Sequence, residues 1–150
     1  MVIEDTPEIG TEPYLIFISK SQKDLSSVEA VYSKLKIGHR IRTIHSIGEL
    51  ILFMDMHQSF EWPSLIVFDV VKQKEEGVQF LKEWKSKDQF KHIPVLIYSD
   101  TMNFQEEKDW MNMGAAYCRK KRKTNEGTQK LLIEFISLVD ILHELNADHQ

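Results

Sequence analysis

The sequence lacks the features on which several classes of protein depend. Its 150 residues include a single cysteine, Cys118, so no disulfide can form within the chain. The longest apolar runs are only a few residues, whereas a membrane-spanning helix needs about 20. The N-terminus also lacks the basic and then apolar pattern of a signal peptide. We therefore expect a soluble, cytoplasmic protein that does not contact a membrane.

Common motifs of catalysis and ligand binding are missing as well. The chain has no glycine-rich dinucleotide or phosphate loop and no G-x-S-x-G nucleophile elbow. None of the six histidines lies at metal-binding spacing from another, which argues against a zinc site. The formal net charge of −4 disfavours nucleic acid as a partner. The run Arg119–Lys123 is basic, but it is too short to outweigh that acidity.

The chain divides into an N-terminal tail and one domain. Residues 1–12 are acidic, contain Pro7 and Gly10, and are typical of a loose tail. Residues 13–146 show no repeat, no low-complexity tract and no linker, and a single domain accounts for their length. We expect no output domain after the final helix.

Short apolar runs alternate with amphipathic helical patterns along this domain. A run that is apolar on both faces is typical of a parallel strand covered by helices on both sides. Five strand–helix units predict a doubly wound α/β fold with five parallel strands. The predicted strands are Tyr14–Ile18, Arg40–His45, Leu65–Phe68, Val95–Tyr98 and Ala116–Arg119.

Polar residues follow these strands where a doubly wound sheet places its site, at the carboxyl ends. Asp69 follows the most apolar run, Ser99 ends the next strand, and Lys120 ends the last. Each also has a structural interpretation. Asp69 could cap a turn, which its position alone slightly favours, Ser99 could cap a helix, and Lys120 could belong to a solvated basic run.

The ordered set Asp69, Ser99 and Lys120 on this scaffold resembles the receiver domain of two-component response regulators. The likeness runs from about Tyr14 to Leu145. The segments that carry it are Leu65–Asp69, Gly77 before the third helix, Ile93–Ser99, and Gly114–Lys120 with Tyr117 at the position of an aromatic switch. The resemblance implies a flavodoxin-like sheet with strand order 2-1-3-4-5.

The resemblance also implies phosphoryl transfer. Asp69 would accept a phosphoryl group, Ser99 and Lys120 would contact its oxygens, and movement of Ser99 would draw Tyr117 inward. The added charge would then change the surface near the fourth and fifth strands. The implied partners are a histidine kinase or phosphotransfer protein and a downstream protein, and a homodimer is permitted. Apart from phosphorylation and dephosphorylation of Asp69 itself, no enzyme activity is implied.

Two positions depart from the family. Ser19 and Lys20 stand where receivers carry the acidic pair that holds Mg²⁺ with the aspartate. Mg²⁺ prefers carboxylate oxygens in an octahedral shell, so we expect its binding to be weak or absent and predict no cofactor. Asp24 lies in the next helix, and we do not expect it to substitute. The segment after Gly114 is also one residue shorter than in the family, and Lys121 stands where a proline normally follows the lysine. This leaves Lys120 or Lys121 as the site lysine, and Lys120 is preferred because it keeps Tyr117 three residues earlier.

Three functions follow from these observations. The first is a stand-alone receiver that is phosphorylated on Asp69 and signals by protein–protein interaction. The second is a pseudo-receiver that works without phosphorylation, with a Lys20–Asp69 ion pair in place of the metal site. The third is a small-molecule-binding domain of flavodoxin-like shape, which the missing phosphate loop disfavours.

Overall fold

A computed structural model describes residues 12–36 and 39–148 of the chain. Apart from Glu12, the N-terminal tail that the sequence predicts lies outside the described residues. None of the helices in the described ranges is long and apolar enough to span a membrane.

Five parallel strands form one sheet at the centre of the molecule. They are β1 (Leu15–Ile18), β2 (Ile41–Ile44), β3 (Leu65–Val70), β4 (Val95–Ser99) and β5 (Tyr117–Lys120). Their order across the sheet is β2-β1-β3-β4-β5, which confirms the predicted doubly wound, flavodoxin-like fold. The central strand β3 is buried along its whole length, as expected for a strand with a neighbour on each side and helices over both faces.

Five helices connect and cover these strands, in the order that the sequence predicts. They are α1 (Gln22–Leu35), α2 (Ile47–Asp55), α3 (Lys74–Lys85), α4 (Phe104–Asn112) and α5 (Asn125–Asp148), and a 3-10 turn covers Ser59–Glu61. The predicted caps at Ser46 and Asn103 are present, because each side chain accepts a hydrogen bond from the third residue of its helix. After α4 the chain turns at Gly114, whose φ of +110° favours glycine.

Alternation along the strands divides the core into two layers. Ile66, Phe68 and Val70 belong to one apolar cluster, which also contains buried residues of α2, α3 and α4. Leu65 and Val67 belong to the other, together with α1 and α5. Successive side chains of a strand point to opposite faces, so this alternation determines which helix each residue at a strand end can reach.

Gly77 does not precede the third helix, as the resemblance led us to expect, but lies in the first turn of α3. The helix starts earlier because Glu76 and Gln73 form a capping box. At Gly77 the helix passes very close to α4. A Cβ atom there would lie 2.6 Å from Cη2 of Trp110 and 3.1 Å from Cγ2 of Val70. Because Trp110 is buried, the space cannot be made by a small shift.

We expect Gly77→Ala to lower the free energy of unfolding by about 1–3 kcal/mol, because the added methyl group overpacks the α3–α4 contact. Urea denaturation measures the change. Gly48→Ala is the matched control. Its Cβ would meet only Ser46 Oγ, at 3.8 Å, in an exposed helical turn, so we expect no loss and a gain of up to about 1 kcal/mol. Equal effects of the two substitutions would contradict the packing argument.

Candidate functional site

The candidate site is built around Asp69, near the carboxyl end of β3. The Asp69 side chain is 0% exposed. Its Oδ2 accepts a hydrogen bond of 2.8 Å from the hydroxyl of Ser19, which follows β1. Its Oδ1 contacts the Nζ of Lys121, which follows β5. Within the protein, Oδ2 therefore accepts a hydrogen bond and Oδ1 belongs to an ion pair.

Lys121, and not Lys120, is the lysine that reaches Asp69. The Lys121 side chain is only 9% exposed, and its Nζ also lies 3.1 Å from Oδ2 of Asp24. Lys120 is exposed and lies two residues after Cys118, which packs in the core layer of α2, α3 and α4. Alternation directs Lys120 away from Asp69. Our preference for Lys120 was therefore wrong, because it followed the spacing to Tyr117 and ignored the face of the strand.

The expected ion pair between Lys20 and Asp69 is not formed. Lys20 is exposed, and its Nζ lies 2.8 Å from Oε2 of Glu76 in the first turn of α3. The adjacent Ser19 turns inward and bonds to Asp69 instead. Ser19 follows Phe17 by two residues, as Asp69 follows Val67, and Phe17 and Val67 both pack in the layer of α1 and α5. Alternation therefore directs Ser19 to the face of Asp69 and Lys20 to the opposite face.

Asp24 belongs to the cluster around Asp69, although the sequence did not lead us to expect it there. It lies in the first turn of α1, where its backbone N–H donates to the N-cap side chain of Ser21. Because α1 starts at the carboxyl edge of the sheet, that turn brings Asp24 to Lys121. The spacing Ser21-x-x-Asp24 is a sequence signal that could have located the residue.

Ser99 lies in β4, next to β3, and Tyr117 lies in β5, one strand further away. No hydrogen bond joins the side chain of either residue to Asp69. Ser99 is buried beside Val70, and its hydroxyl accepts a hydrogen bond of 3.4 Å from the backbone N–H of Thr101. The backbone N–H of Lys121 donates to the Ser99 carbonyl at 2.8 Å. Tyr117 is half-buried and packs against the core layer of α1 and α5. Ser99 thus helps to position Lys121 through the backbone.

The two carboxyl groups of the site share one ammonium, and this separates their pKa values. Burial raises the pKa of Asp69 to about 7, the nearby Asp24 adds to the rise, and Lys121 and Ser19 oppose it. Burial works against Asp24 too, but its hydrogen bonds with Asp69 and Lys121 hold its pKa below the ordinary value. Burial alone would lower the pKa of Lys121, and the two carboxylates raise it. The more buried carboxyl therefore takes up a proton more readily.

These residues do not fit the magnesium site of a receiver. Mg²⁺ needs several free oxygen ligands in an octahedral arrangement. Here an ammonium and a hydroxyl occupy the oxygens of Asp69, and Lys20 adds a second positive charge nearby. Within residues 12–36 and 39–148, no group of three or more His, Cys, Asp or Glu side chains is arranged to hold a metal ion.

Comparison with known proteins finds proteins of similar structure but none that matches in sequence. No model of a known protein family matches the chain, and no curated protein sequence matches it. Many solved structures do. The chain has the fold of a response-regulator receiver.

Three of these structures illustrate the structural similarity and the low sequence identity. A response regulator from Hahella chejuensis has a TM-score of 0.68 and 13% identity, with 85% of this chain and 95% of that chain covered. A two-component response regulator from Legionella pneumophila has a TM-score of 0.63 and 20% identity, with 84% and 99% covered. The Mn(2+)-bound form of response regulator Rcp1 has a TM-score of 0.59 and 20% identity, with 79% and 91% covered.

Lys121→Met is expected to destabilise the protein at neutral pH, because Asp69 and Asp24 lose the cation that they share. Breaking a buried ion pair costs about 3–5 kcal/mol, and we expect the lower end because Asp69 can take up a proton. Lys120→Met removes the same charge from an exposed position and should change the free energy of unfolding by less than about 0.5 kcal/mol. Urea denaturation of both variants tests whether Lys121 is the lysine paired with Asp69. A larger loss of stability in Lys120→Met would contradict this.

The raised pKa of Asp69 also gives a pH dependence with a definite sign. The folded protein binds this proton up to about pH 7, whereas the unfolded chain releases it near pH 4. Asp69 therefore makes stability fall as pH rises between these two values. We expect wild type to lose stability relative to Asp69→Asn between pH 5 and pH 8 in urea denaturation. A relative gain over that interval would show that the Asp69 pKa is lowered.

Proposed function

We propose that this chain is a receiver-type signalling module that acts by binding other proteins, and that Asp69 serves in it as the centre of a structural ion pair. The contact between Lys121 and Asp69 at a fully buried position carries the proposal. The fold shared with response regulators supports a role in two-component signalling.

Phosphorylation of Asp69 would require an accessible and ionised carboxylate. The Asp69 side chain is not exposed, its Oδ2 accepts a hydrogen bond from Ser19, and burial raises its pKa. Each of these reduces the carboxylate's strength as a nucleophile. Ser19 and Lys20 also replace the acidic pair, so the positive charge at the site is the fixed ammonium of Lys121. A divalent cation would have to displace the Lys121 ammonium or the Ser19 hydroxyl to reach the oxygens of Asp69.

An exposed apolar surface on α4 supports binding to a protein. Phe104 is 81% exposed and Met111 is 53% exposed, although both are large and apolar. They lie seven residues apart, which places them on the same side of the helix. Large exposed apolar side chains of this kind are enriched at protein–protein interfaces. We infer that α4 contributes to the surface through which the module contacts its partner.

Phosphorylation on Asp69 by a histidine kinase or phosphotransfer protein is the second candidate. It is favoured by a cavity of about 430 Å³ beside Asp69, lined also by Ser19, Lys20 and Glu76. A small phosphodonor could approach the carboxyl through this cavity if the Lys20–Glu76 bridge opened. Lys121 would then hold the phosphoryl oxygens, in the role that the resemblance gave to Lys120.

Intact-mass analysis after incubation with acetyl phosphate separates the two candidates. We expect no 80-Da adduct (the mass of one phosphoryl group) on wild type, with Mg²⁺ or with EDTA, and no change in Tm on addition of Mg²⁺. An adduct on wild type that is missing from Asp69→Asn would instead establish phosphorylation. Its dependence on Mg²⁺ would then show whether a metal or Lys121 neutralises the phosphoryl group.

Glu76→Gln is a useful companion variant in the same assay. It removes the carboxylate that holds Lys20 at the cavity beside Asp69, and it alters neither member of the Asp69–Lys121 pair. If only the bridge protects Asp69, this variant gains the adduct. If the ion pair with Lys121 protects it, as we propose, this variant stays unmodified.

A further inference from the structure

A second cavity lies between the first turns of α1 and α5, on the other side of Lys121 from Asp69. Its volume is about 300 Å³. We call it the α1–α5 pocket and define it by six of its lining residues: Lys23, Tyr98, Lys121, Arg122, Lys123 and Thr128. This volume accommodates a small polar ligand together with several waters.

Two hydroxyl groups line this pocket without a protein partner. Tyr98 is 5% exposed and Thr128 is 6% exposed. Across the described parts of the chain, neither hydroxyl forms a hydrogen bond with another residue. Neither hydroxyl oxygen is fully enclosed, so each stays open to solvent where its residue lines the pocket. A hydroxyl that is bonded only to water can exchange that water for a ligand atom. The two hydroxyls are therefore available to a bound molecule.

The charges around the pocket favour an anion. Four cationic side chains line it, against the two carboxylates Asp24 and Asp100. Asp69 lies just behind the pocket and shares Lys121 with Asp24, so the four cations face three carboxylates and one positive charge remains in excess. The positive ends of the α1 and α5 dipoles lie at the same place, because both helices start there. This local excess of positive charge occurs in a protein whose formal net charge is −4.

The two hydroxyls are suited to bind an oxyanion as donors. Burial, with help from nearby carboxylates, raises the pKa of Tyr98 above its ordinary value, so the phenol keeps its proton at neutral pH. The Thr128 hydroxyl can rotate to donate as well. A phosphate group offers several acceptor oxygens to two donors and the surrounding cations, a number that a carboxylate or a halide does not provide.

We propose that the α1–α5 pocket binds a small phosphate-bearing anion, held by hydrogen bonds from Tyr98 and Thr128 and by the charges of Lys23, Arg122 and Lys123. The site does not include Asp69 and does not depend on whether Asp69 is phosphorylated. Lys121 lies between the two sites, so an anion in the pocket would attract the ammonium that Asp69 and Asp24 share.

Titration of the ¹⁵N-labelled protein with inorganic phosphate tests the proposal by NMR, with potassium chloride at equal ionic strength as the reference for charge screening. We expect saturable shifts of the backbone amides between Arg122 and Thr128. Thr128→Val and Tyr98→Phe each remove one hydroxyl with little change of shape. Each should weaken phosphate binding by about tenfold, since a hydrogen bond to a charged group is lost.

Thr43→Val is the matched control, because it makes the same chemical change on β2, outside the pocket. It should bind phosphate as wild type does, and Asp69→Asn should bind at least as tightly. Thermal unfolding verifies that each variant is folded. The proposal is overturned if phosphate shifts no more than chloride does, or if both hydroxyl variants bind as tightly as Thr43→Val. The Asp69→Asn arm separates this result from any chemistry at Asp69.

Discussion

A carboxyl group buried at the end of the central strand must find partners inside the protein, and this requirement organises the carboxyl edge of the sheet. Asp69 is enclosed because β1 and β4 flank β3 and helices cover both faces. Removing a carboxylate from water is costly unless charge and hydrogen bonds compensate. Ser19, Lys121 and, through Lys121, Asp24 provide that compensation. Asp69 thus accounts for three features of this edge: Ser19 points inward, Lys121 is buried, and the first turn of α1 lies beside Lys121.

The use of a lysine as the partner of Asp69 bears on the proposed signalling function. A lysine is part of the chain, so the positive charge beside Asp69 cannot exchange with the medium as a metal ion can. The site is therefore balanced in its resting state, with one ammonium between two carboxylates of unequal burial. The signalling module proposed above would transmit information through its surface, and the exposed apolar residues of α4 provide one candidate region.

Lys121 also connects the two polar regions of the molecule. On one side it contacts Asp69, and on the other it lines the α1–α5 pocket with Tyr98 and Thr128. Its Nζ lies 5.7 Å from the centre of the Tyr98 ring, which adds a weak cation–π attraction. A change in charge on either side therefore acts on the same ammonium. That coupling is local electrostatics between neighbouring groups and requires no large movement of the fold.

Much of the architecture follows from the sequence alone. Strands that are covered on both faces need continuous apolar runs such as Leu65–Phe68. The helices between them need a periodic stripe of apolar residues and a cap such as Ser46 or Asn103. Both are local patterns that can be read from the sequence. The position of Asp69 can also be read from the sequence, because Asp69 directly follows the most apolar run.

The partners of Asp69 cannot be read from the sequence. Lys121 and Asp24 are 97 residues apart, and the choice between Lys120 and Lys121 depends on which face of β5 each side chain takes. Only the packed sheet decides this, because a shift of one residue at a strand end reverses the direction of a side chain, whereas the hydrophobic pattern of the strand remains the same.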